Sequence, residues 1–184
     1  RAAAEPLYVA SALAASPVES YIVLTQKEID WAKLSVLAQR RLMVERYDRW
    51  DIGRIWLETE LHQMQLPKSG TFFTAIQATD KPTHLVLPIF FGQAEACLVT
   101  QSTYQTMVEL NPQLGRKLRV LSCSPGVIKS LVCVADDLDP HLVAEMNNKL
   151  QDMHLSEDGR QLLMILRLKR FFPFRTEDLE ATER

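Results

Sequence analysis

The stretch Gly92-Gln-Ala-Glu-Ala-Cys-Leu-Val99, followed by Thr100, Gln101 and Tyr104, decides how this chain folds. Upstream of it, Thr83 to Phe91 carries apolar residues at helical spacing despite Pro88, and the glycine is a natural stop for that helix. Downstream, Ala96 to Thr100 is an apolar run of strand length, and Ser102 to Leu110 returns to a helical period. Helix, stop, strand and helix in succession is the order of an α/β layer. Such a strand delivers Thr100 and Gln101 to the carboxyl end of a sheet, where ligands of open α/β folds bind.

Moving outward, further strand-like runs are Leu7 to Ala10, Tyr21 to Thr25, Leu34 to Leu37, Thr71 to Gln77, Leu118 to Cys123 and Leu131 to Val134. Their alternation with helical segments predicts a largely parallel sheet. One helix follows Asp51, which can cap its free N–H groups, carries Leu57, Leu61 and Met64 on one stripe, and is ended by Pro67 and Gly70. A second starts at Asp139-Pro140 with Leu142, Met146, Leu150 and Met153 at helical spacing, and a third starts near Ser156 with Leu162, Leu163 and Leu166. Ser122 to Ser130, with Pro125-Gly126 inside it, is the one linker-like stretch and reads as a crossover between lobes.

Composition narrows the function classes. The chain has 184 residues, 47% of them hydrophobic, with 21 Lys+Arg against 23 Asp+Glu and a formal net charge of -2. That balance excludes a strongly basic nucleic-acid binder and a charge-driven disordered tail. Cys97, Cys123 and Cys133 form no C-x-x-C, and His62, His84, His141 and His154 never recur at i, i+4, so no metal site is expected. There is no G-x-S-x-G, no G-x-G-x-x-G and no G-x-x-x-x-G-K-[ST], so no catalytic residue and no cofactor are assigned. Cys97 sits at an alternating position of an apolar strand and reads as core, and His62 reads as a surface or boundary residue. The run from Arg167 to Arg175 interleaves cations with Phe171, Phe172 and Phe174 and reads as packing after a helix, although single-strand nucleic-acid platforms share its pattern. Arg40-Arg41 reads as a solvated loop. No apolar run approaches the roughly 20 residues of a membrane span. Arg1 with Ala2-Ala3-Ala4 and Glu5-Pro6 reads as a processed or engineered start, with any signal peptide out of view.

The glycine, the Ala-Glu pair, the following strand and Tyr104 resemble a recurring signature of the phosphate/phosphonate-type substrate-binding proteins of ABC transporters. Other stretches fall in that family's order. Ser20-Tyr-Ile-Val-Leu24 is similar to its crossover strand, and Leu118-Arg-Val-Leu-Ser-Cys-Ser-Pro125 to the strand and turn returning to the first lobe. Asp137-Leu-Asp-Pro-His-Leu-Val143, Glu157-Asp-Gly-Arg160 and Lys169-Arg-Phe-Phe-Pro173 are similar to its closing segments. The resemblance covers about residues 18 to 175. It implies a two-lobed α/β fold of the type 2 periplasmic-binding kind, with one lobe whole and the other incomplete. The expected division is residues 26–120 for the second lobe and residues 1–25 with 121–184 for a partial first lobe.

The same resemblance locates a ligand site and shows where this chain departs from the pattern. Where the family places a hydroxyl-rich Ser-Thr-Ser-Gly turn at a helix N-terminus, this chain reads Trp50-Asp-Ile-Gly53. Asp51 sets a negative charge where the family holds an anion, and like charges in a shielded cleft repel. Pro82, within Lys81-Pro-Thr83, stands where a histidine is common, and Thr100 where an acid is. The expected ligand contacts are therefore Trp50, Asp51, Gly53, Thr83, Thr100 and Gln101. Asp51 reads equally as an N-cap, Trp50 as a packing residue and Thr100 as a strand end.

The function this implies is a non-catalytic small-molecule-binding module, a substrate-binding component of an ABC transporter with altered ligand specificity. Its partners would be a small-molecule ligand and a membrane permease, with a periplasmic or extracytoplasmic location and no nucleic acid. The rival reading is the extracytoplasmic ligand-sensing domain of a signalling receptor, coupled to an output domain. The apolar stripes at Leu142, Met146, Leu150 and at Leu162, Leu163, Leu166 need partners. They predict a homodimer through the C-terminal half, or cover from a preceding segment.

Overall fold

A computed structural model describes residues 4–11, 16–28, 33–46, 51–166 and 168–179. In chain order its elements are β1 (Ala4–Ser11), β2 (Tyr21–Gln26), β3 (Arg41–Glu45), α1 (Ile52–Gln63), α2 (Ser69–Phe72), β4 (Ala75–Thr79), α3 (Pro82–Phe90) and β5 (Ala96–Thr100). They continue with α4 (Gln101–Leu110), α5 (Pro112–Lys117), β6 (Leu118–Cys123), β7 (Leu131–Ala135), α6 (Pro140–Asp152), α7 (Glu157–Ile165) and β8 (Arg170–Pro173). The chain divides into a central unit, residues 20–125, and a terminal unit, residues 1–19 with 126–184.

The central unit is built on a five-stranded sheet in the order β4-β3-β5-β2-β6. β3 runs parallel to β4 and β5, whereas β2 is antiparallel to both its neighbours. The chain enters β2 at the edge where β3, β5 and β6 end, so β2 must run against them. All five residues of β5 are buried, as a strand covered on both faces requires. One face packs Ile22, Leu24, Cys97 and Val99 against Leu85, Val86 and Ile89 of α3 and Leu114 of α5, with Tyr104 and Met107 of α4 around them. The alternate residues Leu42, Val44 and Leu98 are buried as well, and α1 lies along β5 with Leu57 and Leu61 buried.

The motif glycine does what its position predicts. Gly92 adopts a left-handed φ of 71° after α3. Its N–H bonds the Ile89 carbonyl at 3.1 Å, and the Gln93 N–H bonds the Pro88 carbonyl at 2.8 Å. This is the doubly bonded helix stop that glycine favours. Helix α1 ends the same way without a glycine: Gln65 has φ 57°, and the Gln65 and Leu66 N–H groups bond the His62 and Leu61 carbonyls at 2.9 Å each. Pro67 and Gly70 are therefore not what ends α1, and Gly70 lies inside α2.

Other expectations need correction. The run Leu34–Leu37 is a 3-10 turn whose Leu34 and Leu37, three residues apart, are buried together. Thr71 and Phe72 close α2, so the strand expected from Thr71 begins at Ala75; the Phe72 and Phe73 rings meet edge-to-face at 4.9 Å. β3 was unforeseen because it opens on Arg41, which is not in a solvated loop. The Arg41 backbone N–H donates to the Glu95 carboxylate at 3.1 Å, and its guanidinium donates to both carboxylate oxygens at 3.3 Å. Burial alone would raise the Glu95 pKa, but these hydrogen bonds outweigh it and hold the carboxyl below its ordinary value.

The terminal unit has a wholly antiparallel three-stranded sheet, β7-β1-β8, not a parallel one. The Phe-rich segment supplies β8, where Phe171 is buried and Arg170 stacks on the Phe172 ring at 5.2 Å. Tyr8, Ala10, Leu163 and Phe171 form the core cluster, with Leu150 and Met153 of the α6 segment packed on it. Asp139 and Ser156 cap α6 and α7 as their sequence positions predict. At Gly159 an added Cβ would collide with the Met153 carbonyl, so only glycine lets α7 start this close to the end of α6.

The chain leaves the terminal unit after Glu19 and returns to it at Gly126, so residues 20–25 and 121–125, expected in the first lobe, lie in the central unit with β2 and β6. Glu19 and Val127 exchange backbone hydrogen bonds of 2.9 and 2.8 Å. Tyr21 and Ser124 do likewise, with Ser124 N–H donating to the Tyr21 carbonyl and Tyr21 N–H to Ser124 Oγ, both at 2.8 Å.

Candidate ligand site

Parallel strands end on a common edge, and here Glu45, Thr79, Thr100 and Cys123 finish there while Tyr21 starts there. α1, α3 and α4 all begin from that edge, so three helix N-termini, whose first N–H groups have no partner within the helix, gather on it with their positive dipole ends. This is the edge at which open α/β sheets bind ligands.

At α1 the first turn is closed by the chain itself. Asp51 Oδ1 accepts the Arg54 N–H at 3.0 Å, and Arg54 Nε lies 4.0 Å from Asp51 Oδ2. The Asp51 side chain is only 19% exposed. Burial raises its pKa, and the Arg54 contacts offset that rise only in part. Two residues on, Gly53 is buried, and a Cβ there would stand 2.5 Å from the Tyr21 ring. The glycine shared with the family turn thus admits Tyr21 to the start of α1. Trp50 lies outside the described residues.

At α4 the edge carries hydroxyls. Thr100 is buried and caps the helix, its Oγ1 accepting the Thr103 N–H at 3.3 Å. Its hydroxyl donates to Thr103 Oγ1 at 2.8 Å and lies 3.3 Å from Ser102 Oγ. The Gln101 N–H donates to the Ser20 carbonyl at 2.8 Å, and Gln101 Oε1 accepts from the Cys123 thiol at 3.9 Å. Asp51, Gly53, Thr100 and Gln101 therefore lie at the edge where β3 and β5 end and β2 begins. Thr83 is exposed on the first turn of α3, which follows the outer strand β4, two strands from β5. At the usual strand spacing that places it roughly 10 Å to one side.

Several groups at this edge had no clear sequence signal. Ser102 and Thr103 complete the hydroxyl turn and follow directly from Thr100 once the strand end is known. Ser122 Oγ donates to Glu60 Oε1 at 3.3 Å, linking β6 to α1, and a glutamate in the last turn of a helix gives no hint of that. Cys123 is exposed, and partial burial raises its pKa. Cys97 by contrast is core, as expected, and burial drives its thiol far above the ordinary value. Tyr104 turns inward onto the Cys97 face, where burial and then the neighbouring thiol raise its pKa. Among the described residues no three His, Cys, Asp or Glu side chains come together to hold a metal ion. Among the same residues no helix is long and apolar enough to cross a membrane.

Comparison with known proteins agrees with this architecture. The chain is similar to the protein XAC2383 from Xanthomonas citri bound to ATP, with a TM-score of 0.72 and 11% identity over 98% of this chain and 68% of that one. It is similar to PhnD1 from Prochlorococcus marinus in complex with methylphosphonate, with a TM-score of 0.64 and 13% identity over 97% of this chain and 69% of that one. A binding protein component of an ABC phosphonate transporter from Pseudomonas aeruginosa gives a TM-score of 0.61 and 10% identity, over 98% of this chain and 60% of that one. At identities this low the TM-scores show a shared periplasmic-binding fold, and the chain spans 60% to 69% of the solved chains. No curated protein matches the sequence. The profile of the family described as ABC transporter, phosphonate, periplasmic substrate-binding protein matches residues 1–179. The chain therefore belongs to the periplasmic substrate-binding protein family of phosphonate ABC transporters.

Proposed function

We propose that this chain is a non-catalytic module that binds a small molecule outside the cytoplasmic membrane and presents it to the permease of an ABC transporter. Its central and terminal units correspond to the two lobes of such a protein. Asp51, Gly53, Thr100 and Gln101 on the central edge contact the ligand, with Trp50 and Thr83 flanking them. The ligand is cationic or amphipathic, and phosphate and simple phosphonates bind weakly. One observation carries this preference: the Asp51 carboxylate, mostly buried, already occupies the first turn of α1, where the family sets hydroxyls and free N–H groups for an anion. A second anion at that place meets a shielded like charge. The hydroxyls of Thr100, Ser102 and Thr103 suit a polar or amine group equally, since each can accept.

Native mass spectrometry of gently purified protein tests this reading. The expected result is a retained mass that is an organic cation or amphiphile and is displaced by neither phosphate nor methylphosphonate. Retained phosphate or phosphonate would overturn the specificity. The preference also has a pH signature. Binding of a cationic ligand strengthens as pH rises through the raised Asp51 pKa, where the carboxyl ionises.

A further inference from the structure

Tyr21 opens β2 at the ligand edge and is 4% exposed. Three segments that meet at this edge touch it. Across the sheet it pairs with Thr100, the last residue of β5, and it shares the two 2.8 Å bonds with Ser124 beyond β6. Its ring closes on α1: a Cβ at Gly53 would stand 2.5, 2.8 and 3.1 Å from Tyr21 Cδ1, Cε1 and Cγ, so three consecutive ring carbons lie against the backbone of that first turn. The other end of α1 is tied by Ser122 to Glu60. The bond between Asp51 and the Arg54 N–H closes the first turn on itself and fastens it to nothing outside. The ring contact joins that turn to the sheet.

We infer that Tyr21 is a positioning residue for ligand binding: its ring holds the first turn of α1, and with it Asp51, at a fixed place relative to Thr100 and Gln101. The inference rests on the reading of this edge as the ligand site. Tyr21 is too buried to meet a ligand itself and acts through Gly53 and through its pairing with Thr100. Without the ring the turn is free to shift, and a ligand must order it on binding, which costs affinity. Held by the ring, the turn is set before the ligand arrives. The contact is made by ring carbons, so phenylalanine supplies it and an aliphatic residue does not.

Calorimetry with methylphosphonate on the whole chain carrying Asp51→Ser tests the inference, because serine keeps the cap and removes the carboxylate. In that chain Tyr21→Leu weakens binding roughly tenfold or more, and Tyr21→Phe restores it. Leu24→Ala lowers the melting temperature from the same strand but leaves the affinity within about twofold. Equal affinity in the tyrosine and leucine chains overturns the inference and leaves the ligand reading standing. A loss that Leu24→Ala reproduces, or that phenylalanine fails to restore, overturns it too, since Tyr21 then serves stability alone. If Tyr21→Leu does not fold, Gly53→Ala disturbs the same contact from the α1 side, and undiminished binding there overturns the inference. No methylphosphonate binding by the Asp51→Ser chain overturns the ligand reading itself and the inference with it.

Discussion

The central and terminal units use the same kinds of element and bury them very differently. In the central unit β5 and most of β2 are hidden on both faces, and helices from both sides supply the cover. In the terminal unit a three-stranded sheet carries two helices that together bury only Gly159 and Leu163. Leucine content does not separate the two, because α3 and α7 each carry two leucines in nine residues. What separates them is how much sheet each helix finds to lie on. The central unit has a strand on either side of every parallel crossover, and the terminal unit does not.

The largest expected effect comes from cutting the better-covered core. Leu24→Ala in β2 removes a wholly buried side chain between two strands and costs about 2–5 kcal/mol, whereas Met164→Ala in α7 changes stability by less than about 0.5 kcal/mol. Urea unfolding of both variants measures this contrast. Comparable losses would show that α7 is covered after all.

Next in size is the contact of α1 with β2. Gly53→Ala drives a methyl into the Tyr21 ring and costs about 1–3 kcal/mol by overpacking, although alanine is the better helix former. A stabilised Gly53→Ala protein would place Tyr21 elsewhere.

Removing the cap at the same helix has a smaller effect and a pH dependence. Asp51→Ala loses about 1 kcal/mol, while Asp51→Asn keeps the side-chain acceptor. Because folding raises the Asp51 pKa, the folded state holds its proton more tightly than the unfolded chain. Stability therefore falls as pH rises from the ordinary carboxylate range through the raised value, and it is level above that. The asparagine variant lacks that fall. Thermal melts across the acid range compare the two proteins directly, and parallel curves would show that Asp51 is solvated.

The smallest effect is a gain. Gln65 holds a left-handed φ of 57° that glycine adopts without a Cβ penalty, so Gln65→Gly stabilises α1 by about 0.5–1 kcal/mol, whereas Gly92→Ala at the matching stop of α3 destabilises. Opposite signs at two equivalent stops, read from melting temperatures, are the expected outcome.

Those two stops also show what the sequence could tell. The α3 stop is visible because glycine marks it, and with it the β5 strand, its end at Thr100 and the helix after it follow from residue order alone. The α1 stop is invisible because the left-handed residue is a glutamine, which nothing local distinguishes from a helix interior. Leu34 to Leu37 failed as a strand because four apolar residues satisfy a 3-10 turn equally well when two of them, three apart, meet the core. Arg41 failed as a loop because its partner Glu95 is 54 residues away, and long-range pairing leaves no local pattern. The site divides in the same manner. Asp51 is legible as a cap and Thr100 as a strand end, whereas the Thr100 cap, the Glu60 to Ser122 bond and the ring of Tyr21 over Gly53 appear only in the folded chain.

The claim on which the functional account rests is that Asp51 stands in the place of an anion. Isothermal titration calorimetry with methylphosphonate, on the native chain and on Asp51→Ser, tests it most directly. The account predicts no measurable heat from the native chain and an affinity at least roughly tenfold higher once the carboxylate is replaced by a hydroxyl. Micromolar binding by the native chain, unchanged by Asp51→Ser, would contradict it.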